Sequence, residues 1–431
     1  MLAQSEDSKK QWQRGSSFPR RRKTTYVAAF LFSMAYLCLL IFAPVFRAGR
    51  KSFPNSVSWQ QQLKAKELLD LGRHDASGRF RIVPFVLAGS RWSSLSANAS
   101  SVLCVATQIT LGQSDLLLPF VETAPGAVSV ALFLPRQEIV AALTLLKFLR
   151  SCNAALHHRA SVHLVVPHDS GIMQSPVDEG NSVDCGQKAS EILRIITAGR
   201  ELAKLEGPPA GLLRNVALEH CHNEWRASIE PQMQFPRGKT ADLARNLNGF
   251  LAARSASERV AFVLPEFVLV KGAMPENRAE LLSHALDGKV QPRGDYPNAY
   301  LPSELERWRS FGAPSNLVAA AYKVDKLNFG YQPAFLSRWK TPRFDERYAG
   351  EALVKFSQVY EMLMQGYQFY VLDTMYLCGN SSGMASAIPL GSDMHIFHES
   401  HLPDLISRYK KDPHQLLKHE HSSHNVPDQA K

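Results

Sequence analysis

The sequence predicts an α/β domain with a mostly parallel central sheet, preceded by a single transmembrane helix and a stem. Three observations carry that expectation. The stretch Tyr26–Phe46, YVAAFLFSMAYLCLLIFAPVF, runs 21 residues without a charge. Further on, short β-branched runs read as buried strands: VSVALFL (128–134), VHLVVP (162–167) and VAFVLP (260–265). Three other stretches place apolar residues at helical spacing, namely RQEIVAALTLLKFLRS (136–151), TADLARNLNGFLAAR (240–254) and EALVKFSQVYEMLMQG (351–366). Strands alternating with helices imply crossover connections, which build parallel sheets.

Taken in order, the chain begins with a basic tail, residues 1–25. Its first 23 residues hold seven bases against Glu6 and Asp7, which is half of the net charge of +10. Charge gathered in one short tail is not the footprint of a nucleic-acid surface, so no nucleic-acid partner is expected. At about 1.5 Å per residue, the run 26–46 spans the roughly 30 Å core of a bilayer. The bases that precede it keep the N-terminus cytoplasmic. The run exceeds a signal-peptide core and no small-x-small cleavage site follows it, so it reads as the signal anchor of a single-pass type II membrane protein. Residues 47–101 are polar and Ser-rich and read as the stem, 102–411 as the folded domain, and 412–431 as a polar tail. Of the six cysteines, Cys38 falls in the anchor. Cys104, Cys152, Cys185, Cys221 and Cys378 would be luminal, where disulfides form, and an odd number leaves at least one free or paired between chains. Asn98-Ala99-Ser100 and Asn380-Ser381-Ser382 are glycosylation sequons, usable on the luminal side only.

Several segments go beyond pattern. LCVATQITLGQSDLLLPFVE, LRSCNAALHHRASVHLVVP, LLRNVALEH, VLPEFVLVKGAMPENRAELLSHALDGKVQP, KTPRFDERY and GYQFYVLDTMYL occur in this order from about Cys104 to Leu377. Together they resemble the beta-1,4-glucuronyltransferases of the dystroglycan matriglycan pathway and, more distantly, the glucuronyltransferase domain of the LARGE enzymes. The resemblance implies a GT-A-type glycosyltransferase fold in the Golgi membrane. It implies UDP-glucuronate as donor, a glycan acceptor in protein O-mannosyl glycosylation, and manganese as the divalent metal. An anchor, a stem and a luminal α/β domain match that outline at the level of architecture. By the resemblance, Ala106, Thr107 and Gln108 lie in the loop after the first strand, where the uridine is cradled. Arg214 and Asn215 match an Arg-Asn pair beside the donor, and arginine suits phosphate or carboxylate.

The positions that carry chemistry depart from the pattern. The Asp-x-Asp metal motif falls on Ser228-Ile229-Glu230, and no Asp-x-Asp occurs elsewhere in the chain. The Glu-Pro-Phe motif, whose carboxylate is a candidate base, falls on Gln332-Pro333-Ala334; a Gly-Phe-Asn falls on Ala352-Leu353-Val354; and a metal-ligating histidine falls on Gly379. Only Glu230 remains as a metal ligand, because Ser228 and Gly379 offer no anion or imidazole. The pattern leaves two functions open. One is a glucuronosyltransferase in which Glu230 and bases such as Arg214 or Lys355 hold the diphosphate without manganese. The other is a catalytically inactive relative that binds a glycan, a nucleotide sugar or a partner glycosyltransferase in the lumen. His398-Glu399-Ser400-His401 has two imidazoles at i, i+3, but not the spacing of a zinc-protease helix, and His414, His419, His421 and His424 sit in the polar tail.

Overall fold

A computed structural model describes residues 68–92, 103–168, 184–197, 199, 201–202, 207–236, 240–255, 257–294, 303–311, 318–325, 330–338, 341–348, 353–380 and 390–410. The anchor 26–46, Asn98 and the histidines of the polar tail lie outside these residues. No helix among the described residues is long and apolar enough to cross a membrane. The chain divides into two compact units, and every element below belongs to the unit Phe53–Asn181 and Gln187–Lys431.

Ten strands form the main sheet, in the spatial order β1 (Arg73–His74), β2 (Phe80–Leu87), β5 (Ala160–Pro167), β4 (Ala127–Phe133), β3 (Leu103–Thr110), β6 (Trp225–Ser228), β12 (Ala334–Arg338), β8 (Val260–Leu264), β13 (Gln368–Leu372) and β11 (Ala320–Lys323). A second, four-stranded sheet runs β10 (Val290–Pro292), β9 (Glu266–Leu269), β14 (Leu377–Asn380), β7 (Met233–Gln234).

The expectation of a mostly parallel sheet is corrected: the sheet is mixed. β3 pairs in parallel with β4 and β6, β4 with β5, and β8 with β13. The other five pairs are antiparallel: β12 enters between β6 and β8 against both, β2 runs against β5 and β1 against β2 at one edge, and β11 runs against β13 at the other. The physical reason lies in the connections. Parallel neighbours need a crossover of a dozen or more residues, and the helix Ile139–Cys152 supplies one between β4 and β5. β2 precedes the first crossover and enters from residues whose composition reads as stem. The folded unit therefore reaches back at least to Arg73.

The helix Ala210–Glu219 sits against this sheet, with Leu212, Leu213, Val216 and Ala217 in one apolar cluster with Cys104, Ala106 and Ala131. Cys104 and Cys221 form a disulfide across 117 residues, tying β3 to the end of that helix. A loop of that length is constrained by about 5 kcal/mol in the chain-entropy account. Cys152 and Cys185 are also disulfide-bonded, and Cys378 is free and buried. On its other side the helix meets the FDERY segment so closely that a Cβ on Gly211 would lie 2.6 Å from the Asp345 carbonyl oxygen. Only glycine allows that approach.

Candidate functional site

β6 ends at Ser228, in parallel register with β3, and the Ile229 N–H donates to the Ala106 carbonyl at 2.9 Å. Ser228-Ile229-Glu230 thus leaves the sheet at the carboxyl end of β6, beside the middle of β3, on the side on which open α/β sheets bind ligands. β8 ends two residues before Glu266, the first residue of β9. Glu230 and Glu266 are brought together here by three bases. Arg293 bridges them: its Nη1 pairs with Glu230 Oε2 and donates to Glu266 Oε2 at 2.7 Å. Lys355 Nζ stands 3.5 Å from Glu230 Oε1 and 3.9 Å from Glu266 Oε1. Arg214 Nη2 is 3.5 Å from Glu230 Oε1.

The cluster is almost closed to water. Side-chain exposure is 12% for Glu230, 9% for Lys355, 4% for Arg293, 1% for Glu266 and 0% for Arg214. Burial opposes ionisation of Glu230, but Arg293, Lys355 and Arg214 outweigh it and hold the carboxyl well below the usual carboxylate range. Among the described residues, three bases against two acids leave one positive charge in a desolvated site. Lys355 is the second residue of the helix Val354–Met364, an end where the helix dipole disfavours a cation, so the two glutamates compensate for its placement.

The sequence-predicted residues are distributed as follows. Ala106, Thr107 and Gln108 lie inside β3, buried, and not in a loop. The strand continues to Thr110 because every one of these residues pairs with β4, and the turn is the 3-10 segment Leu111–Leu116. Ser228 Oγ accepts from Arg214 Nη1 at 3.1 Å. Asn215 faces away from the cluster toward FDERY. Its amide donates to the Phe344 carbonyl at 2.9 Å and to Glu346 Oε1 at 2.8 Å, while its oxygen accepts from the Phe344 N–H at 2.9 Å. Gln332 is buried, and its Oε1 has no hydrogen-bond partner among the described residues. Two residues on, the Ala334 N–H donates to Glu266 Oε1 at 2.7 Å, which places the Gln332 turn beside the cluster.

Gly379 pairs with Met233 across β14 and β7, and a Cβ there would meet Met233 Sδ at 2.6 Å and the Gln232 carbonyl oxygen at 2.8 Å. No imidazole fits at that position. His401 is likewise occupied: its Nδ1 lies 2.6 Å from Asp345 Oδ2, and its ring stacks on Phe397. Among the described residues no group of three or more His, Cys, Asp or Glu is placed to hold a metal. With Glu230 paired to three bases and Gly379 closed off, the described residues do not fit the manganese that the resemblance implies. Asn380, the sequon residue at the end of β14, is exposed.

Two members of the cluster, Glu266 and Arg293, are not legible as site residues from sequence alone. The signal for Glu266 was present in LPEFVLV, where an acid sits within a buried run and so demands a partner. Arg293, in QPRGD, reads as an ordinary turn.

A family model described as "Glycosyl-transferase for dystroglycan" matches residues 102–386. The chain is 25% identical to Beta-1,4-glucuronyltransferase 1 of Mus musculus over 379 residues, 84% of this chain and 87% of that one. It is 26% identical to Beta-1,4-glucuronyltransferase 1 of Homo sapiens over 338 residues, 75% and 78% of the two chains. Similarity to Xylosyl- and glucuronyltransferase LARGE1 of Homo sapiens is 24% over 173 residues, 39% of this chain and 21% of that one.

Proposed function

The chain belongs to the family of glycosyltransferases for dystroglycan, and from that premise we propose that it is a Golgi type II membrane protein of glucuronosyltransferase type. Its donor is UDP-glucuronate and its acceptor a glycan of the protein O-mannosyl class. The observation that carries this reading is the excess positive charge at the carboxyl ends of β6 and β8, where Arg214, Arg293 and Lys355 surround Glu230 and Glu266. In transfer, the acceptor hydroxyl attacks the anomeric carbon, a C–O bond forms as the bond to the UDP oxygen breaks, and the hydroxyl proton passes to water or to the departing diphosphate. Negative charge then builds on the diphosphate, and a fixed cation in a dry site stabilises that charge. Lys355 suits the task, because its contacts with both glutamates are long and its stem is flexible. Arg293, held at 2.7 Å by Glu266, keeps the glutamates from cancelling Lys355.

The cavity beside Ser228 and Lys355 holds about 20 Å³, roughly one water, so donor binding has to open it. One observation favours a second reading, a non-catalytic luminal binder of nucleotide sugar, glycan or partner transferase. The resemblance puts the base at Gln332, an amide that takes no proton, and Glu230 is held ionised by three cations. Thermal unfolding of the full chain in detergent, with UDP or UDP-glucuronate and with EDTA or manganese, tests the donor site. Equal stabilisation with and without metal is expected. No stabilisation in either condition, or stabilisation with manganese alone, sinks the reading. Release of UDP on adding glycan acceptor then separates the enzyme from the binder.

A further inference from the structure

A second cavity, of about 350 Å³, opens on the main sheet at the starts of β8 and β13, the ends opposite to the glutamate cluster. That volume lies at the low end of small-ligand pockets, the size of a sugar unit with room for its neighbour's linkage. Its floor follows from register. Val260 pairs with Gln368 and Phe262 with Tyr370 across the parallel β8–β13 ladder, so all four side chains share one face. Phe262 is buried, Tyr370 half-buried and Gln368 exposed, which gives an apolar floor rising to a polar wall. Tyr370 donates its hydroxyl to Gln368 Oε1 at 3.0 Å, and Gln368 itself is exposed in the cavity wall, its amide N–H groups not used by this bond.

Two guanidinium groups line the same cavity. Arg254 follows the helix Thr240–Ala252, and its guanidinium carbon sits 4.6 Å from the Phe250 ring centre and 5.7 Å from that of Phe262. Stacking fixes the plane of the fork, while its Nε is buried with no hydrogen-bond partner among the described residues. Arg259 spends one donor on the Gln365 carbonyl. Glu258 also lines the cavity, so the lining carries one net positive charge. A rigid, under-used guanidinium over an aromatic floor is the chemistry that pairs a carboxylate with a flat apolar ring face.

We propose that this cavity binds a carboxylate-bearing sugar, a uronate residue of a glycan, with Arg254 taking the carboxylate and Tyr370 and Phe262 taking the ring. The site lies at the far end of β8 from Glu266, about 16 Å along the strand. It is therefore separate from the donor cluster, and it needs no transfer reaction.

Saturation-transfer NMR on the full chain in detergent tests it, with methyl β-glucuronide, methyl β-glucoside and inorganic sulfate as probes and UDP-dependent melting as a separate readout. The glucuronide is expected to bind about tenfold more tightly than the glucoside, the difference one bidentate charged pair supplies. Arg254→Lys, which keeps the charge and loses the fork, should weaken glucuronide by about tenfold. Gln368→Ala, at an exposed position, should weaken it less, and both variants should melt as the parent does with UDP. Equal binding of glucoside and glucuronide, full displacement of glucuronide by sulfate, or indifference to both substitutions overturns the proposal.

Discussion

Two carboxylates in this protein are held by bases, and they are held differently. Asp345, in FDERY, takes its partners mostly from nearby chain. Arg347, two residues on, donates to it at 2.6 Å, and His401 adds a contact of 2.6 Å from the C-terminal helices. Glu230 takes all of its partners from other elements: Arg214 from a helix that precedes it, Arg293 from the end of β10, and Lys355 from a helix far along the chain. The first is a staple between segments that already touch. The second is a charge balance on which two sheets and two helices converge. Its geometry therefore depends on the whole fold, while that of Asp345 depends on its own turn.

The sharpest way to break the comparison is Arg293→Met. It strips the bridge between Glu230 and Glu266 and leaves two acids facing Lys355 and Arg214. Losing one partner of a buried pair costs about 3–5 kcal/mol, to be read from the midpoint of urea unfolding. A loss no larger than for an exposed pair such as Arg309 with Glu306 would show that the cluster is solvated in solution. Asn215→Ala comes next. It removes two buried hydrogen bonds to Phe344 and a half-buried one to Glu346, at about 2–3 kcal/mol, and should leave the UDP response intact. A lost UDP response with unchanged stability would move Asn215 from the staple to the donor.

Acid sharpens the contrast further. Both carboxyls are held below their unfolded values. Burial opposes ionisation of Asp345, but hydrogen bonds from His401 and Arg347 outweigh it. Each contributes stability that is complete above the unfolded carboxylate range and fades as pH falls through that range toward the folded value. Glu230→Gln should therefore flatten the fall in melting temperature below about pH 4. Asp345→Asn should flatten it less, since Arg347 is more exposed than Arg293. The smallest effect is expected from Ser228→Asp. Arg214 Nη1 already points at this position from 3.1 Å and should pair with the new carboxylate, so calorimetry should find no gain in manganese binding.

Much of the scaffold is legible in the sequence. β4, β5 and β8 and the helices Ile139–Cys152, Thr240–Ala252 and Val354–Met364 fall where periodicity places them, because each buries a continuous apolar run or face. Strand direction is not legible, since a buried β-branched run looks the same either way up. β12 runs against both of its neighbours, and nothing in its residues announces it. Ala106-Thr107-Gln108 shows the same limit: the resemblance places them in a loop, yet pairing with β4 keeps all three in strand, and Ala106 also pairs with β6. The site was half legible. Glu230, Arg214 and Lys355 stand out by type, whereas Arg293 becomes visible only when β9 and β10 pair and its N–H meets the Glu266 carbonyl at 3.0 Å.

The close approach of β7 and β14 at Gly379 bears on the history of the chain. Where two strands settle together over a missing side chain, the order of substitutions begins to matter. A histidine introduced at 379 meets the Gln232 carbonyl before it can meet any metal, so a single step back is blocked. Return requires that Met233 and its strand first withdraw, a change with no advantage until the histidine is there. The resemblance puts a ligand histidine at this position, and packing here works as a ratchet against it. Lineages that descend from such a chain are expected to explore new chemistry around Arg293 and Lys355 sooner than they recover the old.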